Sequence, residues 1–310
     1  MTKRASPLRR LGWLATAAVL LTGCESMPTQ GGAGGLGQLM SAVGSMGGSG
    51  GSNSSAVQDV LQGASAVFKD YSAHEQRQLG EQFSAVLLGA RPLLRNFEAQ
   101  RYVNQIGWWV AQHADQPLDA QGKPLVADWR FGIIDSDAVN AYATPGGFVY
   151  VTVGLLRKLN SESELAGVLA HEVAHVVRGH YLAAVKKGGL TQVAGGLIQA
   201  RAKNQMLSTA MVNAVRNIYS KGLDQSDEFD ADRQGLLYAA RAGYAPTGLP
   251  SVLRMYANQS RQDENFAMFF NTHPSPQDRV ARLQPLLNGK FASAGNVTND
   301  ARYLAVRKKL

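Results

Sequence analysis

From about Val57 onward, apolar residues recur every three to four positions, the period of a helix with one buried face. "SAHEQRQLGEQFSAVLLG" (72–89) and "NFEAQRYVNQIGWWVAQHA" (96–114) predict two such helices. The period then shortens. Beyond the polar stretch "DQPLDAQGKP", the segment "ADWRFGIIDSD" is short and β-like. In "NAYATPGGFVYVTVGLL" the run Phe148–Val153 is rich in aromatic and β-branched residues. Pro145-Gly146 supplies type II turn chemistry, so a hairpin is predicted. Ser161 and Glu164 have capping-box spacing, which starts a helix ten residues before His171. A long Ala/Gly-rich segment over roughly 182–220 follows; its longest uncharged run, Gly188 to Ala200, is too short to span a bilayer. Further helices are predicted over about 225–242, 246–258 and 276–287. The pattern shows no repeat and no domain boundary after residue 57.

Before residue 57 the pattern is of another kind. Lys3, Arg4, Arg9 and Arg10 precede the apolar run "LGWLATAAVLLTG" and then Cys24. A basic start, a short apolar stretch and small residues before a cleavage point describe an export signal over 1–23. "LTGC" resembles a bacterial lipobox, in which the cysteine becomes the acylated N-terminus. Cys24 is the chain's only cysteine, so an internal disulfide is excluded. In signals of that kind, Glu25 after the cysteine implies sorting to the outer membrane. Residues 24–57, dominated by Gly, Ser and Met, read as a flexible tether. Gly47–Gly51 fits the pattern GxSxG but lacks the strand–turn–helix setting a nucleophile needs, and reads as composition. The expected domain is therefore 58–310.

Charge changes the picture little. The whole chain carries a formal +8, and its isoelectric point of about 9.6 suggests a polyanion partner. Residues 1–23 hold four basic and no acidic residues, leaving 27 basic against 23 acidic in the remainder. The export signal and the scattered charges exclude a nucleic-acid role.

Chemistry enters with "GVLAHEVAHVVRGH" (167–180). An apolar helix carrying unpartnered imidazoles and a carboxylate would lose several kcal/mol on burial. Residues four apart share a helix face, so His171 and His175 present two nitrogens to one metal ion. Glu172, offset by about 100°, reaches a water on that metal without ligating it. This is HExxH: two zinc ligands and a general base. Zinc lowers the pKa of a bound water to about 7, and Glu172 takes its proton. No HExxHxxGxxH extension exists, and His180, about 140° around the helix from His175, is expected to point elsewhere. "QSDEFDADRQG" offers Glu228 as third ligand and Asp232, four residues on, as acceptor from a liganding histidine. Asp227 and Asp230 read as ordinary acids of a helix start.

Four blocks, "NAYATPGGFVYVTVGLL", "ELAGVLAHEVAHVVRGH", "SDEFDADRQG" and "THPSPQDRVARL", run in order from Asn140 to Leu283. With them the chain resembles the HtpX and CAAX-endopeptidase type of zinc metallopeptidase, a gluzincin family, in its soluble bacterial lipoprotein branch. The resemblance implies one Zn²⁺ held by His171, His175 and Glu228, with Glu172 as catalytic base. It implies an α+β fold, predominantly α, of the zincin type, with a small antiparallel or mixed sheet beside the HExxH helix. Phe148, Val149, Tyr150 and Val151 would form an edge strand that binds an extended peptide, or plain sheet core. His273 looks like the family's His-Pro loop near the metal, where it either stabilises the oxyanion or fills the open zinc position of a latent state. Arg279 either steadies the transition state or makes a structural ion pair. The membrane-spanning helices of other members, and the tetratricopeptide-like tail of some relatives, are not expected here.

The expected function is a zinc endopeptidase at the periplasmic face of the outer membrane, anchored by acylated Cys24. Its substrates would be misfolded or misassembled envelope proteins, with the outer-membrane assembly machinery as a further partner. The rival is a chaperone-like or scaffold lipoprotein with a latent zinc site.

Overall fold

The computed structural model describes residues 71–187, 209–291, 294 and 297–310. The expected export signal over 1–23, Cys24, the expected tether over 24–57 and positions 188–208 of the Ala/Gly-rich segment lie outside the described residues. The described residues begin with two helices, α1 (Ala73–Ala90) and α2 (Phe97–Gln112). Strands β1 (Arg130–Ile134), β2 (Ala141–Thr144) and β3 (Phe148–Thr152) follow. Then come α3 (Val153–Lys158), α4 (Glu162–Val177), α5 (His180–Lys187) and α6 (Thr209–Lys221). The chain ends with α7 (Gln225–Arg241), α8 (Gly248–Ala257), α9 (Glu264–Thr272), α10 (Pro276–Asn288) and α11 (Asp300–Arg307). The predominantly helical α+β class with a small sheet is observed. Among the described residues no helix is long and apolar enough to cross a membrane.

The sheet is mixed, with strand order β1-β3-β2. β1 runs parallel to β3, and β2 pairs with β3 as the predicted hairpin. Gly146 and Gly147 take φ of +71° and +93° in its three-residue turn, which L side chains rarely adopt. Side chains alternate strictly across the sheet. Phe131, Ile133, Ala143, Val149 and Val151 enter the main core with α2 and α4. Ile134, Phe148 and Tyr150 face the other way, against Leu87 and Leu88 of α1.

This arrangement corrects the edge-strand expectation for Phe148, Val149, Tyr150 and Val151. β3 is the central strand, paired on both sides and buried at every residue. A continuous apolar run, as opposed to an alternating one, is what a strand covered on both faces needs. The edges are β1 and β2. The β1 edge is occupied, because the Gln100 side chain donates to Ile133 O and accepts from Ile133 N–H. The β2 edge is the one beside the histidines.

α4 is the spine of the molecule. Ser161 Oγ accepts from Glu164 N–H at its start. The reciprocal arm of the box is displaced by one residue, since Glu164 Oε2 accepts from Asn160 N–H. α4 is buried from Glu162 to Val176, and α7 crosses it so closely that a Cβ on Gly235 would lie 2.8 Å from His171 N. That contact brings Glu228 and Asp232, two turns and one turn upstream on α7, against the histidines.

At the head of α4, Glu162 is fully buried. It accepts from Tyr102 Oη at 2.6 Å, Tyr244 Oη at 3.0 Å and Asn299 Nδ2 at 2.9 Å, and pairs with Arg302. These bonds fasten the C-terminal α11 segment to the spine. Arg302 is mostly exposed, so its charge is screened, and the buried hydroxyl and amide bonds carry the effect. A Glu162→Gln variant is expected to lose about 2 kcal/mol of stability, read by urea unfolding. Burial raises the Glu162 pKa, but bonds from Arg302, Tyr102 and Asn299 outweigh it and hold it below 4.5. Its stabilisation is therefore full above that pH and is lost as pH falls through the lowered folded-state value. The Gln variant should lose that acid-side slope.

Candidate metal centre

α4 aims three buried side chains at one point. Nε2 of His171 lies 3.0 Å from Nε2 of His175, and the rings stand nearly perpendicular at 87°. From α7, Glu228 places Oε1 3.4 Å from His175 Nε2 and Oε2 3.7 Å from His171 Nε2. His273, just after α9, places Nε2 3.7 Å from Glu228 Oε2. His171, Glu228 and His273 each offer a ligand atom within 4.8 Å of one another. Glu172 lies beside this group, 4% exposed.

The outer nitrogens are also engaged. His171 Nδ1 lies 3.1 Å from Asp232 Oδ1, the acceptor role expected of Asp232. His175 Nδ1 lies 2.9 Å from His180 Nδ1. A proton on each Nδ1 leaves both Nε2 lone pairs facing each other across 3.0 Å, which only a cation between them makes favourable. Among the described residues, Glu172 Oε2 and Glu228 Oε2 are buried with no hydrogen-bond partner, a costly state that Arg279 Nη1, 3.3 Å from Glu228 Oε2, offsets only on the Glu228 side. Two imidazoles and one carboxylate form a donor set that zinc takes in hydrolytic sites. The residues therefore fit a zinc ion.

The electrostatics agree. Burial would lower the His175 pKa, but the hydrogen bond and charge of Glu228 and the charge of Glu172 raise it. In a metal-free chain the site thus draws a proton where a metal would sit. Burial raises the Glu172 pKa, an effect His171 and His175 reduce but do not cancel. Glu228 behaves oppositely. Burial pushes its pKa up, yet His273, His175 and Arg279 hold it well below the ordinary carboxylate value. The candidate ligand Glu228 thus stays ionised while the candidate base Glu172 binds protons more readily, the division of labour a general base requires.

Arg279, from α10, is 2% exposed. Its Nε donates to Asp232 Oδ2 at 2.7 Å and its Nη2 to Asp232 Oδ1 at 2.5 Å. Nη1 lies 3.3 Å from Glu228 Oε2. Of the two readings left open by sequence, the structure shows the ion pair. Arg279 grips the carboxylate that orients His171.

The structure thus gathers His171, Glu172, His175, Glu228, Asp232, His273 and Arg279 into one cluster. Phe148, Val149, Tyr150 and Val151 are absent from it. The expectation for His180 is corrected. Helix α4 ends near Val177, Gly179 takes a φ of +69°, and the chain folds back so that His180 begins α5 against His175. Gly179 after a helical run is the readable signal, since glycine in that conformation commonly ends a helix. Asp230, read as an ordinary first-turn acid, accepts from Arg178 Nε at 2.7 Å and Arg233 Nη2 at 2.6 Å.

Tyr219 is a second residue that sequence reading missed. Thr152 N–H donates to Asn140 O, so even-numbered residues of β2 bond to β3 while Ala141 and Ala143 turn their backbone groups outward. Tyr219 Oη, from α6, donates to Ala143 O at 2.9 Å. Among the described residues, this hydroxyl is the side-chain group that bonds the outward edge of β2 beside the metal cluster.

Residues 98–286 match the family model described as Peptidase family M48. The chain belongs to this peptidase family. M48 membership bears out the metallopeptidase resemblance read from the four motif blocks. The beta-barrel assembly-enhancing protease of Escherichia coli (strain K12) is 28% identical over 218 residues, covering 68% of this chain and 43% of that protein. Mitochondrial metalloendopeptidase OMA1 of Schizosaccharomyces pombe is 30% identical over 164 residues, 51% of this chain and 47% of that protein. Protease HtpX of Legionella pneumophila is 24% identical over 239 residues, 64% of this chain and 80% of that protein. This M48 chain therefore spans less than half the length of the beta-barrel assembly-enhancing protease it matches.

Proposed function

We propose that this M48 chain is a zinc endopeptidase that cuts misfolded or misassembled proteins of the bacterial envelope. One observation carries the reading: the ligand atoms of His171, His175 and Glu228 converge within 3.0 to 3.7 Å beside Glu172, whose buried Oε2 has no hydrogen-bond partner among the described residues. His171, His175 and Glu228 would hold one zinc ion, which would supply Lewis-acid polarisation of the scissile carbonyl. Glu172 takes a proton from the attacking water and delivers it to the amide nitrogen as the C–N bond breaks. His273, whose Nε2 lies 3.7 Å from Glu228 Oε2, supports the oxyanion or fills the open zinc position of a latent state. Asp232 holds His171, and Arg279 holds Asp232.

The substrate lies along β2. Ala141 and Ala143 turn backbone groups away from β3, and with Tyr219 withdrawn from Ala143 O this edge would take an extended chain by strand addition. An apolar cavity of about 430 Å³ opens beside that edge, lined by Leu87, Ile134, Tyr142, Tyr219 and Met268, and suits a large apolar side chain. Unfolded segments offer both features, and folded proteins hide both.

The site of action we propose is the periplasmic face of the outer membrane. Residues 1–23 would be the export signal, Cys24 the acylated anchor and 24–57 the tether. The supports are the "LTGC" motif and the name of the relative from Escherichia coli, which also suggests the outer-membrane assembly machinery as partner.

The closed β2 edge favours a second reading, in which the site is latent until α6 withdraws. A Tyr219→Phe variant removes one hydrogen bond of about 1 kcal/mol, so the open population and the cleavage rate should rise roughly fivefold. A rate unchanged within experimental error would show that Tyr219 does not guard the edge.

The direct test of the main reading is cleavage of casein by the zinc-loaded chain. A chelator should stop cleavage and added zinc restore it. Zinc uptake without cleavage favours the latent reading, and a chain that binds no zinc overturns both.

A further inference from the structure

The two liganding histidines differ in what holds them, and the difference gives a role to residues outside the expected site. His171 is oriented by Asp232, whose carboxylate is gripped by Arg279. Among the described residues, no carboxylate bonds His175 Nδ1. Its partner there is His180 Nδ1, at 2.9 Å. Two imidazole nitrogens at that distance share one proton, one donating and the other accepting. His175 Nε2 is the atom aimed at Glu228 and His171, so its ring proton belongs on Nδ1. His180 must then accept with Nδ1 and carry its own proton on Nε2. That nitrogen faces Asp230 Oδ2 at 3.5 Å, and Asp230 is pinned by Arg178 and Arg233.

We infer that His180 and Asp230 are positioning residues, a relay that fixes the tautomer and ring angle of His175 and thereby sets the affinity of the site for zinc. The relay mirrors the one on the other ligand. In each, a liganding ring donates outward toward an aspartate fixed by arginine, and only on the His175 side does a second imidazole stand between. A neutral acceptor orients the ring without adding negative charge to a centre that already holds Glu172, Glu228 and Asp232. The turn at Gly179, with φ of +69°, places His180 there. His180 is 7% exposed, so bulk water is a poor substitute for it.

This inference rests on the zinc reading above, and its test separates the two. Zinc affinity of the full chain is measured by competition with a chelator of known affinity, for wild type, His180→Phe and His180→Gln. Phenylalanine keeps the ring packing and offers no acceptor. Glutamine restores an acceptor through its side-chain carbonyl. The phenylalanine variant should bind zinc roughly 10- to 100-fold more weakly, the usual cost of losing such a partner, and glutamine should recover most of the loss. Nitrogen NMR of the wild-type imidazoles adds a readout that packing alone does not set: the His175 proton should sit on Nδ1 and the His180 proton on Nε2. Equal zinc affinity in wild type and His180→Phe overturns the relay while leaving the zinc reading intact. A wild type that binds no zinc overturns the zinc reading and the relay with it. If the phenylalanine variant does not fold, the tautomer decides, and a His175 proton found on Nε2 overturns the relay.

Discussion

A Glu172→Gln variant is expected to keep its zinc and lose roughly 10²- to 10⁴-fold in cleavage rate, the span of a general base. The swap is nearly isosteric, and the amide cannot take a proton. Nothing else in the centre needs to move, because Glu172 is not one of the proposed ligands His171, His175 and Glu228, whose donor atoms converge beside it. Its Oε2 has no hydrogen-bond partner, so the variant breaks no bond there that would disturb the fold. The loss should fall on kcat, with KM little changed, since the proposed peptide docking on β2 would not involve this side chain. The pH profile carries a second signature. Burial raises the Glu172 pKa above 4.5, less the opposing pull of His171 and His175. The base works unprotonated, so the wild-type rate should fall as pH drops through that raised value, and residual activity of the variant should lack that limb. Fragment release from casein, with zinc content measured in the same sample, checks both. A variant that keeps zinc and cuts at the wild-type rate would remove Glu172 from the mechanism.

What could be read from the chain is what short-range spacing encodes. The HExxH residues and the pair Glu228 and Asp232 repeat at four, so one helix face carries each set, and the structure brings the two faces together. Pro145-Gly146 marked the hairpin, and Ser161 the head of α4. Strand order was not readable, because β3 becomes central through pairing with β1 across the whole hairpin, a non-local choice that no local pattern records. The buried run Phe148–Thr152 contained a hint, since all five residues are apolar, aromatic or β-branched, which suits a strand covered on both faces. His180 was misplaced by extending a helix through Gly179, where a positive φ ends it. The helices α9 and α11 escaped for a different reason. "ENFAMFFNT" is too short to show a helical period, and α11 begins beside Asn299 in a left-handed conformation, with its order supplied by Glu162 rather than by its own sequence.

The largest stability effect should come from Arg279→Leu. The guanidinium is 2% exposed and lies between two buried carboxylates, Asp232 with two hydrogen bonds and Glu228 at 3.3 Å. Leucine fills part of the volume and leaves both carboxylates without their cation, a loss of roughly 3–5 kcal/mol for a broken buried pair. Lysine should rescue little, because one ammonium cannot reproduce the paired Nε and Nη2 contacts to Asp232. The damage also has a direction. Burial raises the Asp232 pKa, and Arg279, with His171, brings it below the ordinary value. Once Arg279 is gone, Asp232 binds a proton more readily and ceases to be a dependable acceptor for His171 Nδ1. The metal-free variant should therefore unfold at lower urea than wild type, and added zinc should stabilise it less than it stabilises wild type, because one ligand is no longer held. Urea unfolding with and without zinc measures both quantities. A destabilisation under about 1 kcal/mol, the level of an exposed pair, would mean that the two carboxylates find another counter-charge. Zinc stabilisation equal to that of wild type would mean that His171 keeps its orientation without Arg279, and that the chain from α10 through Asp232 to the metal ligand is structural support only.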